Sequence, residues 1–216
     1  MGHIIIAPVG DNSTALFIGM KAFPTEKVIL LATKEHVKEA KRLSKKLEEF
    51  TIKTEIKELQ GNILEATFQA FANLCFIYDN EDLIVNVATG NHTTTCAALS
   101  AAYANGLKAF DVMGDMTVLL PILKLSYYRE LSENKMEILR TLDEKKFEQI
   151  GKIAQRLQMS ISLLSYHING NHKYKGLKDH RLIETKMEGK SLHVKLSPMG
   201  RMLLKGYISD KRGKEK

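Results

Sequence analysis

The stretch LIVNVATGNHTTTCAALSAAYANGLKAFDVM, residues 83–113, reads as a strand, a loop, a helix and a second strand in succession. Residues 83–87 (LIVNV) are almost continuously apolar, the pattern of a strand covered on both faces. Residues 88–94 (ATGNHTT) break that pattern and gather Gly, Asn and Thr. Residues 93–104 are rich in Ala, which suits a closely packed helix. Asn105-Gly106 closes that helix, because glycine accepts the left-handed backbone that ends many helices. Residues 107–113 (LKAFDVM) form the next strand. Strands that alternate with helices are joined by crossovers, so the sheet is mainly parallel and the fold is α/β.

Working toward the N-terminus, the alternation repeats. Residues 3–7 (HIIIA) are a β-branched run, residues 28–33 (VILLAT) a second, and residues 53–59 (KTEIKEL) a third strand. Between the last two, Val37, Ala40, Leu43 and Leu47 recur at helical spacing, so residues 34–50 carry one apolar helical face. Residues 63–77 form another helix, with Leu64, Phe68, Phe71 and Leu74 on its buried side. Residues 118–123 are a candidate sixth strand. Sheets of this kind take ligands beyond the carboxyl ends of their strands, near the point where strand order reverses. Two loops fall there: Pro8, Val9, Gly10, Asp11, Asn12 and Ser13 after the first strand, and Thr89, Gly90, Asn91, His92 and Thr93 after the fourth. Gly10 and Gly90 permit close backbone approach. The hydroxyls, amides and following helix N-termini suit phosphate or ribose oxygens. Ser13, Thr89 and Asn91 also fit the role of helix N-caps. Neither loop is GxGxxG or GxxxxGK[ST], which argues against a redox dinucleotide or ATP hydrolysis.

Working toward the C-terminus, the pattern changes. Residues 134–142, 147–157 and 160–170 read as three short helices joined by tight turns. Residues 181–186 (RLIETK) and 191–196 (SLHVKL) are strand-like, with Gly189 in the turn between them. Ser197-Pro198 opens a last helix with proline at its first position. Three helices followed by a hairpin make a winged helix-turn-helix, an α+β unit, and the expected division is 1–125, 126–210 and a disordered basic tail at 211–216. Residues 1–125 hold 12 Lys+Arg against 14 Asp+Glu, whereas residues 126–216 hold 20 against 11. The chain's +7 charge thus comes wholly from its second part, which favours a polyanionic partner. The expected contacts to double-stranded DNA are Ser160, Ser162, Ser165, Tyr166 and His167 on the third helix, Lys173, Lys175 and Lys178 after it, and Arg181, Lys186 and Lys190 around the wing.

Hydrophobic residues at 44% and charged residues at 26% are normal for a globular protein. Cys75 and Cys96 lack CxxC or Cys/His spacing, so no disulfide framework or metal site is expected and a reducing cytoplasm fits. Residues 1–10 (MGHIIIAPVG) are too short for a signal peptide, and no apolar run approaches a membrane span of roughly 20 residues.

The loop PVGDNST and the segment NVATGNHTTTCAALSAAYANGLKAFDV resemble the CARF domain, the CRISPR-associated Rossmann fold. The segment from LSYHI through RLIETKMEGKSLHVKLSPMGRMLL resembles MarR- and ArsR-type winged helices. The whole chain resembles the archaeal CARF–winged-helix transcriptional regulators. That resemblance implies a homodimer whose paired loops bind a cyclic oligoadenylate, most often the tetra-adenylate, as effector, with no other cofactor. It places Gly10, Asp11, Asn12 and Ser13 in one ligand loop and Thr89, Gly90, Asn91, His92 and Thr93 in the other. Many family members carry Lys or Arg where His92 stands, and a mostly neutral imidazole weakens any claim of ring cleavage. A non-enzymatic, ligand-responsive DNA-binding regulator is therefore expected. The alternatives are a ring nuclease using His92, Asn12 and Ser13, and an adaptor that binds protein through the winged helix. No paired acid and base stands out, so no catalytic residue is assigned.

Overall fold

The computed structural model describes residues 2–121, 131–189 and 191–206. Two compact units divide the chain, the second spanning Tyr127–Lys205. Lys190, residues 122–123 of the candidate sixth strand and the tail at 211–216 lie outside the described residues.

The first unit is a six-stranded sheet with four α-helices. Its elements are β1 (His3–Pro8), α1 (Thr14–Ala22), β2 (Thr25–Thr33), α2 (Val37–Glu49), β3 (Lys53–Leu59), α3 (Ile63–Ile77), β4 (Leu83–Asn86), α4 (His92–Asn105), β5 (Lys108–Met113) and β6 (Met116–Leu120). Strand order is β3-β2-β1-β4-β5-β6, parallel except for β6. The chain therefore builds outward from β1 to β3, then returns to lay β4 on the other side of β1. That reversal makes a Rossmann-like α/β sheet with its switch point between β1 and β4. β6 turns back on β5 through Gly114, pairing Leu120 with Ala109, so its last residues lie at the edge of the sheet where the parallel strands begin.

Period-two alternation sends side chains to two cores. Ile5, Ala7, Val28, Leu30, Ile84 and Phe110 pack with Leu16 of α1 and Ala40, Leu43 and Leu47 of α2. Ile6, Ile29, Leu31 and Val85 are equally buried and point the other way. Small side chains along α4 (Ala97, Ala98, Ala101, Ala102) are buried as well, which explains the Ala-rich composition. Gly106 ends α4 at φ 67°, in the left-handed region as expected.

α1 is the helix that periodicity does not announce. Ala15, Leu16, Phe17, Ile18 and Met20 leave it apolar nearly all round, so no polar face marks the helix. Gly19, midway along it, lets α1 settle onto the sheet: a Cβ there would meet the Phe110 ring at 2.5 Å and Asn86 Nδ2 at 3.1 Å.

The second unit contains α5 (Glu133–Thr141), β7 (Glu148–Gln149), α6 (Ile150–Arg156), α7 (Ile161–Asn169), β8 (Ile183–Glu188), β9 (Ser191–Leu196) and α8 (Pro198–Gly206). The strands form one antiparallel sheet in the order β7-β9-β8. Residues 147–149 correct the sequence expectation of a helix over 147–157. Glu148 and Gln149 pair with Val194 and His193, so helix begins only at Ile150. The backbone bonds to β9 hold the chain extended ahead of Ile150, so the helix starts three residues later than expected. Met136, Ile138, Leu139, Ile153, Ala154, Leu164, Ile168, Leu177, Leu182 and Val194 are buried and supply this unit's core. Gly189 turns the β8–β9 hairpin at φ 59°. No helix among the described residues is long and apolar enough to cross a membrane.

Gly19→Ala gives a test whose sign separates packing from helix propensity. On an open helix the change gains roughly 1 kcal/mol. Against Phe110 it should cost about 1–3 kcal/mol instead, read as a lower urea midpoint with an unchanged m-value.

Candidate functional site

At the switch point the two glycine-bearing loops touch backbone to backbone. A Cβ on Gly10 would lie 2.3 Å from Asn91 N and 2.7 Å from the Gly90 carbonyl carbon, so only glycine fits. A Cβ on Gly90 would lie 2.5 Å from Thr94 Oγ1 and 3.1 Å from Pro8 Cγ. The close approach these glycines serve is thus between the loops themselves. Asn12 N donates to Thr89 O at 3.4 Å and joins them further.

Each loop then opens a helix by the same device. Asn12 Oδ1 accepts from Ala15 N at 3.3 Å, and Asn91 Oδ1 accepts from Thr94 N at 3.0 Å. Asn91 is a true N-cap, as its type suggests. Ser13 is not: it is already in right-handed helical conformation, its side chain makes no cap bond, and Asn12 takes the role one residue earlier. Two helix N-termini therefore meet at one point, and their partial positive charge favours an anion.

Thr89 is not a cap either. Its side chain is buried at 3% exposure, and Oγ1 has no hydrogen-bond partner. A buried hydroxyl without a partner costs free energy unless a ligand engages it. Asp11, Asn12, His92 and Thr93 are exposed around this point, while Pro8 and Val9 are buried beneath it. The residue that sequence reasoning missed is Asn86, fully buried at the end of β4. Its Nδ2 donates to Ala15 O at 3.0 Å, and its Oδ1 accepts from Ala88 N at 3.0 Å. It therefore ties α1 to the second loop. The signal was present in LIVNV, where one amide interrupts an apolar strand and must be satisfied inside.

In the second unit, Ser160 caps α7 through Leu163 N at 3.1 Å. Ser162 and Tyr166 are exposed on the helix beside Ile161 and Leu163, and Ser165 Oγ accepts from Asn169 Nδ2 at 3.1 Å. Lys173, Lys175, Lys178 and Arg181 are exposed. Lys186 is exposed but engaged, 2.5 Å from Glu188 and 4.6 Å above the Phe147 ring. His167 departs from the expectation of a DNA contact. It is 7% exposed, neither ring nitrogen has a partner, and it lies on the inward side of α7 with Leu164 and Ile168. Burial, with the nearby Lys135 charge adding, holds its imidazole below the ordinary 6.5.

A separate opening of about 540 Å³ includes Lys146, Glu148, Lys152, Arg156, Glu188 and His193 in its lining. Arg156 pairs there with Glu148, and His193 lies near Glu188, so the site offers no single sign of charge to a ligand. Among the described residues no group of three His, Cys, Asp or Glu could hold a metal ion.

A family model described as "HFX_2341_N:-like, N-terminal" matches residues 3–117, just over half of the chain. A protein of Archaeoglobus fulgidus described as uncharacterized is 22% identical over 217 residues, spanning 92% of this chain and 94% of that protein. Among solved structures, Can2 from Sulfobacillus thermosulfidooxidans in complex with cyclic tetra-adenylate superposes with a TM-score of 0.46 at 14% identity. That alignment spans 95% of this chain and 62% of Can2. Protein VC1899 from Vibrio cholerae superposes with a TM-score of 0.48 at 11% identity, spanning 94% of this chain and 64% of VC1899. This chain covers less than two thirds of the length of either solved structure.

The buried imidazole predicts a pH dependence with a definite sign. The unfolded chain binds the His167 proton more tightly than the native chain, so its contribution is intact above pH 6.5 and is lost as pH falls below it. Urea titrations from pH 7.5 down to about 5 should show that slope, and His167→Leu should flatten it.

Proposed function

The chain belongs to the HFX_2341_N:-like family through its N-terminal unit, and on that premise we propose that it is a ligand-responsive DNA-binding regulator. Its first unit acts as a CARF domain that takes a cyclic oligoadenylate at the β1–β4 switch point. The observation that carries this reading is the meeting of the α1 and α4 N-termini beside the buried, unpartnered Thr89 hydroxyl. That arrangement suits a phosphodiester: helix N–H groups and a hydroxyl donate to it, and the glycines bring the two loops close enough to act on one group. The sequence resemblance of both loops to CARF loops names the ligand class. A ring of identical nucleotides has the symmetry of a two-fold dimer, so two chains would each supply one pair of loops to one ring.

The second unit acts as a winged helix, with α7 as recognition helix and β8–β9 as wing. The excess of Lys+Arg in residues 126–216 and the exposed hydroxyl and aromatic groups of α7 support a duplex partner. A ligand that binds one arrangement of the dimer better than another would shift DNA affinity by its differential binding, typically about 1–3 kcal/mol.

Calorimetry with cyclic tetra-adenylate tests the first half. One ring should bind per two chains, and Thr89→Val should weaken binding at least tenfold while the free protein melts at the same temperature or higher, because an unanswered buried hydroxyl is removed. A folded wild type that ignores the ring overturns the proposal. Conversion of labelled ring to linear product would make the protein a ring nuclease instead. For the second half, a gel shift on a duplex from upstream of its own gene should weaken steeply with salt. Salt-insensitive binding, or none, counts against a DNA partner.

A further inference from the structure

Between α7 and β8 the chain runs longer than a compact helix-to-hairpin connection needs, and the extra residues are not slack. Gly170, at φ 71°, and Gly176 face each other so closely that a Cβ on either would lie 2.4 Å from the other's backbone N. An antiparallel bridge joins Gly170 to Lys175 and closes the loop at its neck. Inside it, Asn171 N donates to Tyr174 O at 2.8 Å, while Asn171 Oδ1 accepts from Lys173 N at 2.9 Å and Tyr174 N at 2.8 Å. Below the neck, Leu177 N and Lys178 N donate to His167 O and Ile168 O of α7. From α5, the 8%-exposed Lys135 reaches across and donates Nζ to Lys175 O at 2.5 Å.

The outcome is a stiff projection whose own backbone groups are largely satisfied, and whose side chains His172, Lys173, Tyr174 and Lys175 all face solvent. Tyr174 is 62% exposed. A protein gains nothing in its own stability by fixing a bare phenol ring between two lysines. A partner gains, because the ordering entropy of the loop is already met before binding.

We propose that residues 171–175 form a preformed DNA-gripping finger: Lys173 and Lys175 hold phosphates, and Tyr174 lays its ring against sugar or base. Lys135 is its positioning residue, acting through the Lys175 carbonyl rather than on DNA. The inference rests on the DNA-binding reading and adds to it a contact that is not electrostatic.

Fluorescence anisotropy of the full chain on a labelled mixed-sequence duplex of about 30 base pairs, across a salt series, separates these roles. Removing both cations (Lys173→Ala with Lys175→Ala) should weaken binding and lower the log–log salt slope by about 1.8. Tyr174→Ala should weaken binding about tenfold with the slope unchanged. Lys135→Met should weaken binding severalfold, also at unchanged slope, because a buried cation releases no counterion. Should Lys135→Met fail to fold, Asn171→Ala loosens the same loop from outside the core and carries the same expectation. Wild-type binding with all these variants indistinguishable from it overturns the finger while leaving the DNA-binding reading intact. No wild-type binding overturns both.

Discussion

The contact on which the first unit depends is the one between Gly10 and the peptide joining Gly90 to Asn91. It forces the loop after β1 and the loop after β4 into one surface, and this brings two helix N-termini together. Asn86 holds the arrangement from below by bonding to both sides. A parallel sheet alone would supply a crevice at this position. The glycines narrow it until the loops become a single platform, on which Thr89 keeps a hydroxyl unanswered. The cost of that hydroxyl is tolerable because so many apolar strand residues around it are buried completely.

Much of this was legible in the sequence, for identifiable reasons. β3, α3 and β9 appear at the residues the sequence assigns, and β9 shows why most clearly, since Leu192, Val194 and Leu196 alternate onto one face. On α3, Phe68, Phe71 and Leu74 are buried as expected, but Leu64, expected beside them, is 39% exposed because it lies in the first turn of the helix. α1 was hidden because a helix whose side chains are apolar nearly all round has no polar face to reveal its period. Residues 147–149 precede the helical spacing of Ile150, Ile153 and Ala154 with nothing local to break it, and the bonds that make Glu148 and Gln149 strand come from β9, more than forty residues away. His167 was misread for a related reason. Polarity suggests a surface, but on α7 its position falls between Leu164 and Ile168 on the inner face. At the site, residue types identified both loops correctly as neighbours of the strand ends. Which asparagine caps which helix depends on backbone dihedrals that no composition encodes.

The positive charge of the second unit is also unequal in kind. Lys186 and Lys195 both lie over the Phe147 ring, and each meets a glutamate, so part of their charge is used within the fold. Lys135 is turned inward onto a carbonyl. Formal charge therefore overstates the field available to a partner, and the lysines of the loop after α7 account for more of it than their number suggests.

The reversed last strand of the sheet carries one more implication. β6 runs back against β5, so the peptide leaving Leu120 departs from the end of the sheet opposite the Gly10 and Gly90 loops. The loop platform and the point where β6 ends thus stand at opposite ends of the same strands, separated by the ladder of parallel backbone bonds that runs from β1 through β4 to β5.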